Sequence, residues 1–221
     1  IAVRLLTRDD RALDEEFLDE RIERALRLRT ETLKLHGSGS VPLHDGNRKE
    51  AGPERATTAF RLVNSEGDGL GGLTVDGYGG NLVVQFGTIG FFLRRELLLD
   101  ILQGRLGPGA IVDKSDARAG KIEGFEAQED RCLRGELPSG PLTVKELGLD
   151  LQVDLRRGQK TGLYLDQREN RDRFAAFACG ARVLDCFAYT GGFSVHAARG
   201  GARSMTLLES SAPALEIAKR N

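Results

Sequence analysis

A chain of 221 residues, 40% hydrophobic and 29% charged, can hold one large or two modest domains with real cores, and its composition is not that of a disordered segment. Lys and Arg number 32 against 33 Asp and Glu, a formal charge of −1, so nucleic-acid binding would have to come from local basic patches or from sequence outside this chain. Runs such as Leu82–Val84 and Leu97–Leu99 are far too short to span a bilayer, and three scattered cysteines, Cys132, Cys179 and Cys186, make neither a disulfide framework nor a CxxC metal site. A cytoplasmic chain with reduced thiols, no metal and no membrane partner is expected.

Residues 1–7 alternate like a strand from the first position, with no initiator Met and no partner strand before them, and the chain is expected to be a fragment. Asp14–Leu28 reads as a helix whose apolar stripe is Phe17, Leu18, Ile22, Ala25, Leu26 and Leu28. Residues 30–57 lose periodicity and read as a linker or long loop; His36 and His44 lie within it and receive no role. Residues 58–157 read as a compact α+β domain. Its predicted strands are Ala59–Val63, Gly72–Asp76, Asn81–Phe86 and Ala110–Asp113, with a helix over Phe91–Leu106 and a hairpin pairing Leu142–Glu146 with Leu149–Leu155. Asn64–Gly69 has the composition of a binding loop, and turn geometry is the favoured reading.

The stretch Gly158–Arg171, GQKTGLYLDQRENR, puts Asp166 where it could cap a helix running to about Phe177. Lys160, Gln167, Arg168 and Arg171 crowd that loop and the first helical turns, where cations gain nothing from the helix dipole. A charged or phosphate-bearing partner would explain them.

Leu184–Ser194, LDCFAYTGGFS, reads as a buried strand ending in an acid, a turn and a helix start. Gly191 and Gly192 allow close backbone approach to a ligand. A second strand, Met205–Leu208, carries Glu209 at its carboxyl end, where a carboxylate can accept from ribose hydroxyls. A dinucleotide site would place its glycines straight after the strand. Here Cys186–Thr190 intervene, leaving room for an amino-acid head group beside Asp185, as S-adenosylmethionine has. Cys186 is expected to be a small buried hydrophobe rather than a nucleophile.

The ordered series RLVNSEGDGL from Arg61, Lys114–Asp116, Glu123–Gly124, Gly135–Leu137, GQKTGLYLDQR from Gly158 and Leu184–Ser194 resembles the 23S rRNA cytosine-C5 methyltransferases that carry an N-terminal PUA domain. The resemblance covers nearly the whole chain. It implies the end of a PUA domain with a connecting helix in residues 1–29, a strand-strand-helix-strand-strand domain in 58–157, and the first half of a class I, Rossmann-like methyltransferase domain in 158–221. It implies S-adenosylmethionine bordered by Asp185, Phe187, Tyr189, Thr190, Gly191, Gly192 and Glu209, with Lys160 and Gln167 as further candidates. The substrate it implies is 23S ribosomal RNA, methylated at C5 of a cytosine after a cysteine thiolate adds to C6. That cysteine is expected beyond Asn221. A homodimer stays open, as do a methyltransferase for another acceptor and a noncatalytic RNA-binding module.

Overall fold

The computed structural model describes residues 6–33, 56–127 and 131–221. Most of the expected first strand and linker, with His36 and His44, lies outside them. The chain divides into two compact units, one drawn from Ile1–Glu50 and Thr58–Leu137, the other from Ala51–Thr57 and Pro138–Asn221.

The first unit opens with helix α1, Glu15–Arg27. Asp14 caps it by accepting from the Phe17 amide at 3.0 Å, and Glu15 and Glu16 at its start with Arg24 and Arg27 at its end complement the helix dipole. Five of the six expected stripe residues are buried. Leu28 is 41% exposed, because the helix widens into a π turn over Leu28–Thr32 that shifts the phase of the stripe and turns Arg29 inward.

Among the described residues a five-stranded sheet follows, ordered β1 (Ala59–Asn64), β2 (Leu73–Tyr78), β3 (Asn81–Phe86), β4 (Ala110–Asp113) and β5 (Arg131–Gly135). Its pairs are antiparallel except β3 with β4, which are parallel and joined through helices α2 (Ile89–Leu93) and α3 (Arg95–Leu106). The mixed α/β class stands: the three strands expected ahead of the helices are present, one more than the resemblance implies, while the helix is broken at Arg94 and a short helix α4 (Ala117–Glu123) and strand β5 are additions. Leu18 and Ile22 from α1, Leu62, Leu73, Leu82 and Val84 from the sheet, and Leu98 and Leu102 from α3 share one core with no exposed surface beyond 1%. Each contributes about 1.5–3 kcal/mol by leaving water.

In the second unit β6 (Leu142–Glu146) and β7 (Leu149–Val153) pair antiparallel in the expected register. Leu147 and Gly148 both take positive φ, 49° and 86°, the conformation of a two-residue hairpin turn whose twist suits its strands. The hairpin belongs to this unit and not to the preceding one, because Glu146 is tied to the helices that follow. Those elements are α5 (Arg168–Ala175), β8 (Arg182–Cys186), α6 (Gly192–Arg199), β9 (Ser204–Leu208) and α7 (Ala212–Ala218). β8 and β9 run parallel around α6, with Asp185 opposite Leu207. Leu184 and Leu208 are 64% and 63% exposed, so the strand expected to be buried has an uncovered face.

Asp166 does not cap α5. A 3₁₀ turn over Leu165–Gln167 precedes the helix, Gln167 takes the cap position, and the Asp166 carboxylate accepts from the Gln167 side-chain amide at 3.2 Å.

Candidate functional site

Strand alternation sends Val183 and Asp185 to one face of β8 and Leu184 and Cys186 to the other. Asp185 Oδ2 accepts from Ser194 Oγ at 2.8 Å, which ties the end of β8 to α6. Cys186, expected to be buried, is exposed on the opposite face, because β8 is covered on one side and not on both.

The loop between Asp185 and α6 is bent by force. Phe187 and Tyr189 have φ of 60° and 49°, a left-handed conformation that costs a side-chain-bearing residue roughly 1–2 kcal/mol. Such backbone persists only where its surroundings hold it, and it gathers at ligand sites. Two groups hold it here. The Tyr189 amide donates to Glu209 Oε2 at 2.9 Å, and the Gly191 amide donates to the Ala188 carbonyl at 2.8 Å. Gly191, at φ 76°, has Leu207 and Ala218 so near that a Cβ would sit 3.1–3.2 Å from them. Thr190 is buried beside Gly191 and Gly192, while the Phe187 ring is 92% exposed.

Glu209, at the end of β9, also accepts from the Ser211 amide at 2.9 Å and from Ser210 Oγ at 3.2 Å. Amide donors at Ser211 and Tyr189 hold its carboxyl below the usual carboxylate range, so it is charged at neutral pH. The site therefore presents two acids at adjacent strand ends, Asp185 and Glu209, on either side of a strained loop, with the amide end of α6 behind Gly191. Two carboxylates so placed suit hydroxyl and ammonium donors. Among the described residues no group of His, Cys, Asp and Glu could hold a metal ion.

Tyr189 turns away from this loop. Its ring is buried against Tyr164, edge to face at 5.6 Å, and its hydroxyl donates to the Gly162 carbonyl at 2.9 Å and accepts from the Gln159 amide at 2.9 Å. Burial pushes the phenol up to about 12, so the hydroxyl stays protonated and can keep both bonds. One residue thus joins the Glu209 end of the site to the GQKTG segment.

Lys160 and Gln167 lie on that segment and on the turn after it. Lys160 is exposed at φ 54°, and the Gln167 side chain meets Asp166 and Asn170. Arg171, grouped with them in the sequence, serves another purpose. It is 2% exposed and grips Glu146 through Nε at 2.7 Å and Nη2 at 2.6 Å, while Nη2 also reaches the Tyr164 carbonyl at 3.0 Å. His196, to which the sequence alone assigns nothing, completes the cluster: its Nε2 lies 3.1 Å from Glu146 Oε1, and its Nδ1 lies 3.2 Å from Arg199 Nη2. A guanidinium only donates, so Nδ1 accepts and the ring proton sits on Nε2, aimed at Glu146. Arg171 and His196 lie 25 and 50 positions beyond Glu146 in the chain, and no local pattern in the sequence joins the three.

Elsewhere, an open cleft of about 310 Å³ in the first unit is lined by Arg95, Arg131, Arg134, Glu96, Cys132 and Leu133. Arg134 is paired with Glu96 and Asp100, and Arg95 stacks on Phe92, so the cleft's charge is largely answered from within.

Residues 129–221 match the model of a family described as S-adenosylmethionine-dependent methyltransferase. The whole chain is 37% identical to a ribosomal RNA large subunit methyltransferase I of Shewanella amazonensis and covers 51% of that protein. Over 74% of the chain it is 42% identical to a protein of the same name from Citrobacter koseri, covering 41% of it. The chain spans about half the length of the curated relatives it matches. A solved structure of a SAM-dependent methyltransferase from Streptococcus mutans shares its fold over 98% of this chain and 50% of its own, at 23% identity and a TM-score of 0.76. Another, of a methyltransferase complexed with SAH, matches to the same extent.

Proposed function

We infer, taking as premise that residues 129–221 match the model of the S-adenosylmethionine-dependent methyltransferase family, that the protein of which this chain is part methylates large-subunit ribosomal RNA at C5 of a cytosine. The observation that carries this reading is the pair of acids at the ends of parallel neighbours β8 and β9, bridged by the Glu209 bond to the Tyr189 amide. The names of the relatives support the RNA acceptor.

The donor set fits S-adenosylmethionine. Asp185 has one oxygen on Ser194 and would meet the amino-acid ammonium; Glu209 would take the ribose hydroxyls; Thr190, Gly191 and Gly192 would border it at the start of α6. Phe187, in the same loop, has its ring exposed to solvent. When bound, the cofactor supplies an electrophilic methyl group. This chain's residues bind and orient it, and none of them is assigned as the nucleophile that adds to cytosine. The domain assignment follows: residues 58–137 form the middle α+β domain, and the methyltransferase part takes in the hairpin as well as 158–221. A ribosomal substrate makes the cytoplasm the place of action, and a homodimer is carried forward, to be ended by a monomer mass in sedimentation equilibrium.

Calorimetry with S-adenosylmethionine and methylation of purified large-subunit RNA test the reading. Glu209→Ala should weaken cofactor binding roughly tenfold or more, since it leaves hydroxyl donors without an acceptor and frees the Tyr189 amide. Unchanged affinity would remove Glu209 from the site. Methylation of small acceptors in place of RNA would overturn the substrate.

Cys186→Ala should retain methyl transfer, because β8 turns Cys186 away from the face that carries Asp185. Loss of turnover with cofactor binding and fold intact would make Cys186 the nucleophile.

A further inference from the structure

Between Arg156 and Tyr164 the chain carries Arg156, Arg157 and Lys160 and no acidic residue, and all three cations are exposed. Asp154, at the entry, is turned onto the backbone, where its Oδ1 accepts from the Arg156 and Arg157 amides at 2.8 and 3.0 Å. The Gly158 amide closes on the Asp154 carbonyl at 2.9 Å, and the Gly162 amide on the Gln159 carbonyl at 2.9 Å. A Cβ at Gly158 would lie 2.3 Å from the Asp154 carbonyl oxygen and 3.0 Å from the Tyr189 hydroxyl, so only glycine fits. Thr161 and Leu163 are buried, and Tyr189 bonds the backbone on both sides of Lys160, at Gln159 and Gly162. Lys160 itself is held left-handed at φ 54°. A surface loop without a task would relax that strain; this one is pinned at four points and shows cations to solvent.

The other cations of the stretch are placed differently. Arg171 is buried on Glu146, and Arg168 pairs with Glu169 at 2.8 Å. S-adenosylmethionine does not match a run of cations either, since it carries a sulfonium and an ammonium against one carboxylate. A polyanion does.

We propose that the loop from Arg156 to Gly162 is an RNA-contacting surface, in which Arg157 and Lys160 take backbone phosphates of the substrate strand and Tyr189 keeps them in register with the cofactor loop. The proposal rests on the reading of the protein as an RNA methyltransferase. Tyr189 is a positioning residue: its amide answers to Glu209 and its hydroxyl to the basic loop.

The test titrates a labelled single-stranded fragment of large-subunit RNA onto the protein at several salt concentrations, and S-adenosylhomocysteine by calorimetry. For Arg157→Gln combined with Lys160→Gln, the slope of log K against log salt should fall in magnitude by roughly 1.4, about 0.7 for each phosphate no longer neutralised. S-adenosylhomocysteine affinity should not move. Tyr189→Phe keeps the ring, removes both hydroxyl bonds, and should weaken RNA binding although every cation remains. Unchanged RNA affinity and slope in the double variant overturns the proposal. So does a loss confined to S-adenosylhomocysteine, which would give Lys160 to the cofactor. Methyl transfer by the unaltered full-length protein, of which this chain is part, is scored apart: RNA bound through the loop but never methylated defeats the catalytic reading alone, methylation with an unchanged slope defeats the loop alone, and no RNA binding defeats both.

Discussion

Glu146→Ala is expected to destabilise the second unit by about 3–5 kcal/mol, the range for removing one partner of a buried ion pair. Glu146 and His196 are fully buried, and the Arg171 side chain is 3% exposed. The loss exceeds that of a surface pair because alanine leaves the Arg171 guanidinium charged and without water, and the His196 Nε2 proton without an acceptor. Replacing Glu146 and Arg171 together by Leu and Met should recover part of the loss, since no charge is then stranded. Chemical denaturation of the single and double variants gives the comparison. A single variant within 1 kcal/mol of wild type would show that the cluster is open to solvent.

The same cluster sets an acid limit. Burial alone would raise the Glu146 carboxyl, but hydrogen bonds from His196 and Arg171 outweigh it and hold it below its ordinary value of 4.5. A depressed carboxylate contributes stability that is fully present above the unfolded value and disappears as pH falls through the folded one. The second unit should therefore lose melting temperature below about pH 4.5, and Glu146→Ala should flatten that part of the profile.

Asp68→Ala should cost the first unit a comparable 3–5 kcal/mol. Asp68 Oδ1 meets Arg29 Nη1 at 2.6 Å with side chains 4% and 7% exposed, and Asp68 Oδ2 accepts from the Asn64 amide at 2.5 Å. Arg29 is otherwise satisfied by the Ala25 and Arg61 carbonyls at 3.1 Å, which cannot neutralise it. The substitution also decides what Asn64–Gly69 is for. A turn held for stability loses melting temperature when Asp68 goes; a ligand loop would keep its melting temperature and lose affinity.

Where one face of an element meets the core, the sequence is enough to read it. Phe17, Leu18, Ile22, Ala25 and Leu26 declare α1, Asn81–Phe86 declares β3 to the residue, and Leu147-Gly148 declares its hairpin. β5 escapes because Arg-Cys-Leu-Arg-Gly has no alternation to detect. Asp185, Gly191, Gly192 and Glu209 are legible as a set because acids at strand ends and glycines at a helix start have few other reasons to coincide. Their partners are not. Nothing in the spacing of Glu146, Arg171 and His196 shows that they meet, since contacts between distant positions depend on how elements pack rather than on local pattern. Arg171 reads as a surface cation for that reason. Tyr189 falls in the expected loop, yet its hydroxyl serves the chain rather than the ligand.

The Glu146, Arg171 and His196 cluster also constrains how this chain can drift over generations. A change at Glu146 alone strands a cation, one at Arg171 alone strands an anion, and one at His196 alone leaves Glu146 short of a donor, so each first step is penalised before a second can repair it. The three positions should thus be inherited as a block, and lineages that have left the arrangement should have left it at two or three positions together. Arg157 and Lys160, both exposed, face no such packing barrier, and only the phosphates proposed for them would hold them in place.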